Sequence, residues 1–197
     1  MEIKLFGTKI KVTFLFISVI TSMIFMDRTG LILPLIFSVI IHEGAHLLAM
    51  HFFGVSPKEV LLLPGSILIV NYHTVSRRKE TVILILGPLA NFIFFALFYC
   101  FYLLFNSHTL LQYSAVQLLM CLFNLLIAKG LDGGALLYNL LLIKNTPEKA
   151  ELKLKIASMI TVCGIIFLGI FYTLKGDMNI SIFILAIYLL VFTFLKN

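Results

Sequence analysis

Charge is scarce in this sequence: only 12% of its 197 residues are Asp, Glu, Lys or Arg, against 61% hydrophobic, and mean hydropathy is +1.09. Soluble domains carry about twice that charged fraction, so a soluble globular fold and a disordered chain are both excluded. Cysteine is scarce too. Cys100, Cys121 and Cys163 stand singly inside apolar runs, which excludes a disulfide framework or a Cys-type zinc site and leaves three small buried hydrophobes. No basic stripe interleaved with aromatics is present to track a phosphate backbone. Internal repeats, low-complexity tracts and flexible linkers are missing, and the length suits one domain over residues 1–197. Lys4, Lys9 and Lys11 before an apolar stretch superficially resemble a secretory leader, but Ile24-Phe25-Met26-Asp27-Arg28 offers no small-x-small cleavage site. That stretch reads as an uncleaved first membrane helix.

What is present is a succession of apolar runs, at about residues 12–26, 31–53, 81–105, 114–143, 156–174 and 180–195. In lipid the backbone must satisfy its own hydrogen bonds, so each run is expected to be helical. The fold class expected is an all-α polytopic membrane protein of six spans. The basic residues test that number. With the N- and C-termini cytoplasmic, twelve of the fifteen lie on the inside, leaving Arg28 and Lys175 outside and Lys129 within a span. The net charge of +6 is thus a topology signal. Between the second and third spans, at about residues 55–80, Val60-Leu61-Leu62-Leu63-Pro64-Gly65-Ser66-Ile67-Leu68-Ile69-Val70 is β-rich around a Pro-Gly turn signal. A small membrane-associated β-hairpin is expected there, lying in the interface or against protein because open strand edges cannot face lipid.

Ionisable groups inside spans are costly and point to function. The second span reads Ile41-His42-Glu43-Gly44-Ala45-His46-Leu47, an H-E-x-x-H. Residues four apart on a helix project from one face, about 40° apart, so two imidazoles can meet one zinc ion. Glu43, one step round the helix, is placed to act as a base on a water rather than as a ligand. Composition alone gives about 0.006 such matches by chance in this chain. A pair of buried histidines bonded to neighbouring helices is the bland reading. It would cost several kcal/mol in an apolar span without compensation.

A catalytic zinc takes three protein ligands and keeps one position open. His51 is turned away from the His42/His46 face, His73 lies in the loop, and His108 lies in the short segment across the membrane. Each of the three is expected to be solvated or interfacial. Asp132, in Gly130-Leu131-Asp132-Gly133-Gly134, is the remaining candidate, an acid inside an apolar run where glycines let the helix deform. At 1.5 Å per residue, His46 lies about 12 Å and Asp132 about 17 Å from the cytoplasmic ends of their spans, so both fall in the cytoplasmic half of the bilayer.

These residues resemble the site-2 protease family of intramembrane zinc metalloproteases, and within it the small bacterial branch typified by stage IV sporulation protein FB. Three motifs carry the resemblance. His42-Glu43-Gly44-Ala45-His46 is followed by Phe53-Gly54-Val55 and the apolar hairpin. Gly87-Pro88-Leu89-Ala90-Asn91 comes early in the third span. Asn124-Leu125-Leu126 precedes Leu131-Asp132-Gly133-Gly134. The resemblance implies that His42, His46 and Asp132 hold Zn2+, that Glu43 is the general base, and that Asn124 lies near the site and positions substrate or the developing oxyanion. It also implies that the hairpin, with Gly65, Ser66 and Ile67 at its turn, guides an extended substrate strand by β-addition. The implied substrate is a membrane-tethered protein such as a pro-sigma factor, an anti-sigma factor or a signal-peptide remnant. The chain departs from the family pattern at Ile127 and Gly130, where prolines are usual, and at Ala135, where Arg or Lys often follows the two glycines. No nucleotide-sensing or PDZ domain follows the sixth span, so regulation through one is not expected.

Two other readings remain open from sequence. A membrane zinc-binding or zinc-transport protein would use His42, His46 and Asp132 equally well but give Glu43 no task. A pseudoprotease scaffold would bind membrane proteins without cutting them.

Overall fold

A computed structural model describes residues 2–5, 8–55, 57, 59–63, 66–70, 75–176 and 180–195. In chain order the elements are β1 (Glu2–Leu5), β2 (Thr8–Val12), α1 (Phe14–Met26), α2 (Ile32–Phe52), β3 (Glu59–Leu63), β4 (Ser66–Val70), α3 (Arg77–Phe105), α4 (His108–Asn124), α5 (Asp132–Leu141), α6 (Pro147–Leu174) and α7 (Ile180–Leu195). The chain is mostly helical. Among the described residues, three helices, α2, α3 and α6, are long and apolar enough to cross a membrane. The 21 residues of α2 reach about 31 Å, close to the hydrocarbon thickness. Large apolar side chains such as Leu103, Phe105, Ile160, Phe167 and Leu174 are more than half exposed, an outer surface that suits lipid and not water.

Two compact units divide the chain, Met1–Cys121 and Leu122–Asn197. The first holds a four-stranded sheet in the order β1-β2-β3-β4. β1 pairs antiparallel with β2, β2 parallel with β3, and β3 antiparallel with β4 through Leu62↔Ile67 and Leu63↔Ser66. The N-terminal stretch read from sequence as a charged flank thus contributes two strands. In β2, lysines 9 and 11 alternate with Ile10 and Val12, the two-residue period of a strand. Lys11 Nζ pairs with the Glu59 carboxylate of β3 at 3.0 Å.

The helices of this unit pack through a stripe. Pro34, Ser38, His42, His46 and Ala49 are the buried residues of α2, spaced almost every fourth position. They face Ile83, Gly87, Pro88 and Asn91, the buried residues of α3, the helix that makes the most extensive contact with α2. Phe37 stands edge-on to Phe94, Phe98 and Tyr113, with ring centroids 5.7–5.9 Å apart. Between α1 and α2, Asp27 gathers the turn: its carboxylate accepts from the amides of Thr29, Gly30 and Ile32 at 2.8–3.0 Å.

The second unit is built on Ala128, Leu131, Val162, Ala186 and Leu189, all buried, with Phe123, Leu126, Ile165, Ile166 and Leu185 packed around them. Here the structure differs from the run read at 114–143. α4 ends at Asn124, an irregular segment covers 125–131, and α5 begins at Asp132. Gly130 has φ +96, which no continuous right-handed helix accommodates. α5 has 10 residues, about 15 Å, and does not cross a membrane alone. The fifth apolar run begins within a longer helix, because Pro147 at the first position and Lys149, Lys153 and Lys155 extend α6 before its apolar stretch.

Candidate metal centre

His42 and His46 lie on the buried stripe of α2, one turn apart. Each ring is pinned at Nδ1. His42 Nδ1 is 2.7 Å from Asn91 Oδ1, and His46 Nδ1 is 2.8 Å from the carbonyl oxygen of Ile83. The proton positions follow from the partners. Asn91 Nδ2 donates to the Ser38 carbonyl at 3.1 Å, to Ser38 Oγ at 3.0 Å and to Gln117 Oε1, so its Oδ1 faces His42 as an acceptor. A backbone carbonyl can only accept. Both Nδ1 atoms therefore donate, and in neutral imidazoles both Nε2 atoms carry lone pairs.

Those two Nε2 atoms stand 3.2 Å apart. Two lone pairs so placed, on two buried residues, can both be given to one cation. Two nitrogens held tetrahedrally by zinc at about 2.05 Å would be about 3.3 Å apart, so the spacing suits such an ion. Metal-binding histidines commonly donate their other ring N–H to an oxygen acceptor, which fixes tautomer and orientation. Asn91 Oδ1 and the Ile83 carbonyl are those acceptors here.

Gly87 makes room for the pair. A Cβ at that position would overlap His46 Nε2 and come within 2.6 Å of His46 Cε1 and 2.9 Å of His42 Cε1. No side chain fits between the α3 backbone and the two rings. Glu43 follows His42 one step round the helix and is half-buried.

In the second unit, Asn124 is buried at the last residue of α4. Asp132 opens α5 and is half-buried, with Leu131 extended just before it. An acid in a first helical turn is favoured by the positive end of the helix dipole. His42 and His46 in the first unit and Asp132 in the second are residues that could bind a metal ion. His51, exposed at the end of α2 beside Phe52, and His108, at the start of α4, are not among them. Ser66 and Ile67 open β4 and pair with Leu63 and Leu62. His73 and Gly65 lie outside the described residues.

The chain is similar to a site-2 protease. The solved site-2 protease from Methanocaldococcus jannaschii matches it with a TM-score of 0.69 and 26% sequence identity, over 98% of this chain and 93% of that one. No family model matches the sequence, and no curated protein matches it. The likeness to a site-2 protease supports a protease, hence a hydrolase, and with the three long apolar helices it supports an integral membrane protein.

No motif in the sequence marks Ser38 or Gln117, and Gly87 and Asn91 are marked only as members of Gly87-Pro88-Leu89-Ala90-Asn91. The cost of a polar amide in an apolar span, the argument that singled out Asp132, applied to Asn91 and Gln117 as well.

Proposed function

We propose that this protein is an intramembrane zinc metalloprotease that hydrolyses a peptide bond in or near the transmembrane segment of a membrane-tethered substrate. The observation that carries the proposal is the pair of lone-paired Nε2 atoms 3.2 Å apart, on the glutamate-containing helix of a chain that is similar along 98% of its length to a site-2 protease. His42, His46 and Asp132 would hold the zinc. When bound, zinc supplies polarisation of the scissile carbonyl and a water of lowered pKa.

The protein's own groups do the rest. Asn91 and the Ile83 carbonyl keep His42 and His46 in the tautomer that places a lone pair on Nε2. Glu43 takes the proton of the attacking water and delivers it to the leaving amine. Asn124 positions the substrate carbonyl. Ser66 and Ile67 at the start of β4, with Gly65 next to them in sequence, align an extended substrate by strand addition, since a helical peptide bond is shielded by its own turns.

On this reading the six apolar runs span the membrane, both termini are cytoplasmic, and the site lies in the cytoplasmic half of the bilayer. The protein would fall in the bacterial branch typified by stage IV sporulation protein FB, acting on a pro-sigma or anti-sigma factor in regulated intramembrane proteolysis. The test is co-expression with candidate single-span substrates, comparing wild type with Glu43→Gln. Cleavage should vanish in the variant while zinc content stays unchanged. Cleavage by Glu43→Gln at the wild-type rate would reject the role of Glu43.

A further inference from the structure

Gly130 has φ +96, and proline is locked near −65°. Proline therefore cannot stand in this backbone at that position, and the segment 125–131 is irregular between α4 and α5. We propose that three side chains of α6, Glu151, Ser158 and Thr161, are positioning residues that hold this loop and thereby fix where α5 presents Asp132. The proposal rests on the reading of Asp132 as a metal ligand.

Two of the three contacts are to backbone atoms of the loop, and the third is to the Lys129 side chain. Ser158 Oγ accepts the Lys129 amide at 2.9 Å, and its own proton goes to the Leu154 carbonyl at 2.8 Å, so its acceptor role is fixed. Thr161 Oγ1 lies 2.8 Å from the Ile127 carbonyl and 3.2 Å from the Ala157 carbonyl, and the shorter contact takes its proton. Glu151 Oε1 pairs with Lys129 Nζ at 2.8 Å. The three residues are seven and three apart, which places them on one face of α6.

That face meets a segment whose polar backbone lies in an apolar run, where an unpaired N–H or C=O is expensive. The loop is closed from the other side as well. A Cβ on Gly133 would come within 2.6 Å of the Leu126 carbonyl oxygen, and one on Gly134 would overlap the Ala128 carbonyl oxygen. Ala128 and Leu131 are anchored in the core against Val162. Between Lys129 and Asp132 only Gly130 and Leu131 intervene, so slack in the hydroxyl contacts passes to the carboxylate.

The test uses the full chain in detergent, with hydrogen exchange across residues 125–131 and Co2+ as the metal probe. In Ser158→Ala/Thr161→Val, exchange in the loop should rise about tenfold. Co2+ binding should weaken about tenfold with an altered visible spectrum, the scale of an outer-shell loss. Ser158→Thr/Thr161→Ser, which keeps both hydroxyls, should restore both. If the double variant fails to fold, Thr161→Val alone carries the same comparison against Thr161→Ser. Unchanged exchange and Co2+ affinity, or equal behaviour with and without the hydroxyls, would overturn the proposal. If the wild-type protein binds no Co2+ at all, the metal reading fails by itself, and the bracing stands or falls on the exchange result.

Discussion

His42 Nε2 and His46 Nε2 face each other at 3.2 Å with both Nδ1 protons committed to oxygen acceptors. The arrangement suits a cation. Its side-chain supports, Asn91 on α3 and Gln117 on α4, can be substituted without touching either histidine.

Gly87→Ala should be among the most damaging conservative changes. The added methyl would overlap His46 Nε2 and crowd His42 Cε1, so one ring must move. Zinc content of the purified variant, read by mass spectrometry of metals, should fall by about tenfold or more, the scale of displaced ligands or their supports. Gly44→Ala serves as the control, because a Cβ there meets nothing within 4 Å.

Asn91→Leu should lower metal affinity by about 10- to 100-fold without removing a ligand, since it strips the acceptor that fixes the His42 tautomer. Asn91→Asp keeps an acceptor facing Nδ1 but sets a carboxylate oxygen against the Ser38 carbonyl and Gln117 Oε1, so its loss should fall between those of wild type and Asn91→Leu. Competition with a zinc chelator of known affinity measures both. Unchanged affinity in Asn91→Leu would mean that the acceptor for His42 Nδ1 does not support the metal.

Asp27 gives a pH dependence outside the membrane. The Ile32 amide, followed by the Thr29 hydroxyl and the Thr29 and Gly30 amides, holds its carboxyl below the ordinary carboxylate value. A carboxyl depressed in the folded state stabilises fully above its unfolded pKa and loses that contribution as pH falls through the lowered folded value. Asp27→Ala should therefore lower the thermal midpoint in detergent at neutral pH. The gap to wild type should close as the pH drops below the carboxylate range. A gap that does not narrow in acid would show that the hydrogen bonds of Asp27 are not its contribution.

Gly169 on α6 predicts a purely structural effect. A Cβ there would lie 3.1–3.3 Å from Phe183 and Ile182 of α7, so the two helices approach closely over it. Gly169→Val should destabilise the Leu122–Asn197 unit by about 1–3 kcal/mol, the usual cost of overpacking, as seen in denaturation in mixed micelles. Metal binding at His42 and His46 should be retained.

What could be read from the residues alone follows physical cost. Two histidines and an aspartate in apolar runs are expensive, and the four-residue spacing of His42 and His46 has one helical meaning, so these side chains stood out. Ser38, Asn91 and Gln117 are uncharged, and bonding one another offsets much of their burial penalty, although Gln117 Nε2 is buried without a partner. Such a network shows only when three helices are in place. The strands β1 and β2 were obscured differently. The lysines of β2 suggest a membrane flank, and its parallel partner β3 lies 50 residues further on, Lys9 against Glu59, beyond the range of any local pattern. The break at 125–131 was visible as glycines and charges within an apolar run, but the positive φ of Gly130 and the hydroxyls of α6 that hold the loop required coordinates.

X-ray absorption at the zinc edge on the purified, zinc-loaded protein tests the central claim most directly. Scatterers should all be nitrogen or oxygen at about 2.0–2.1 Å, with outer-shell features of two imidazoles. His46→Ala should remove one imidazole, and Asp132→Ala should change the oxygen shell while leaving both imidazoles in place. A sulfur shell near 2.3 Å, or a spectrum unaltered by either substitution, would contradict the account.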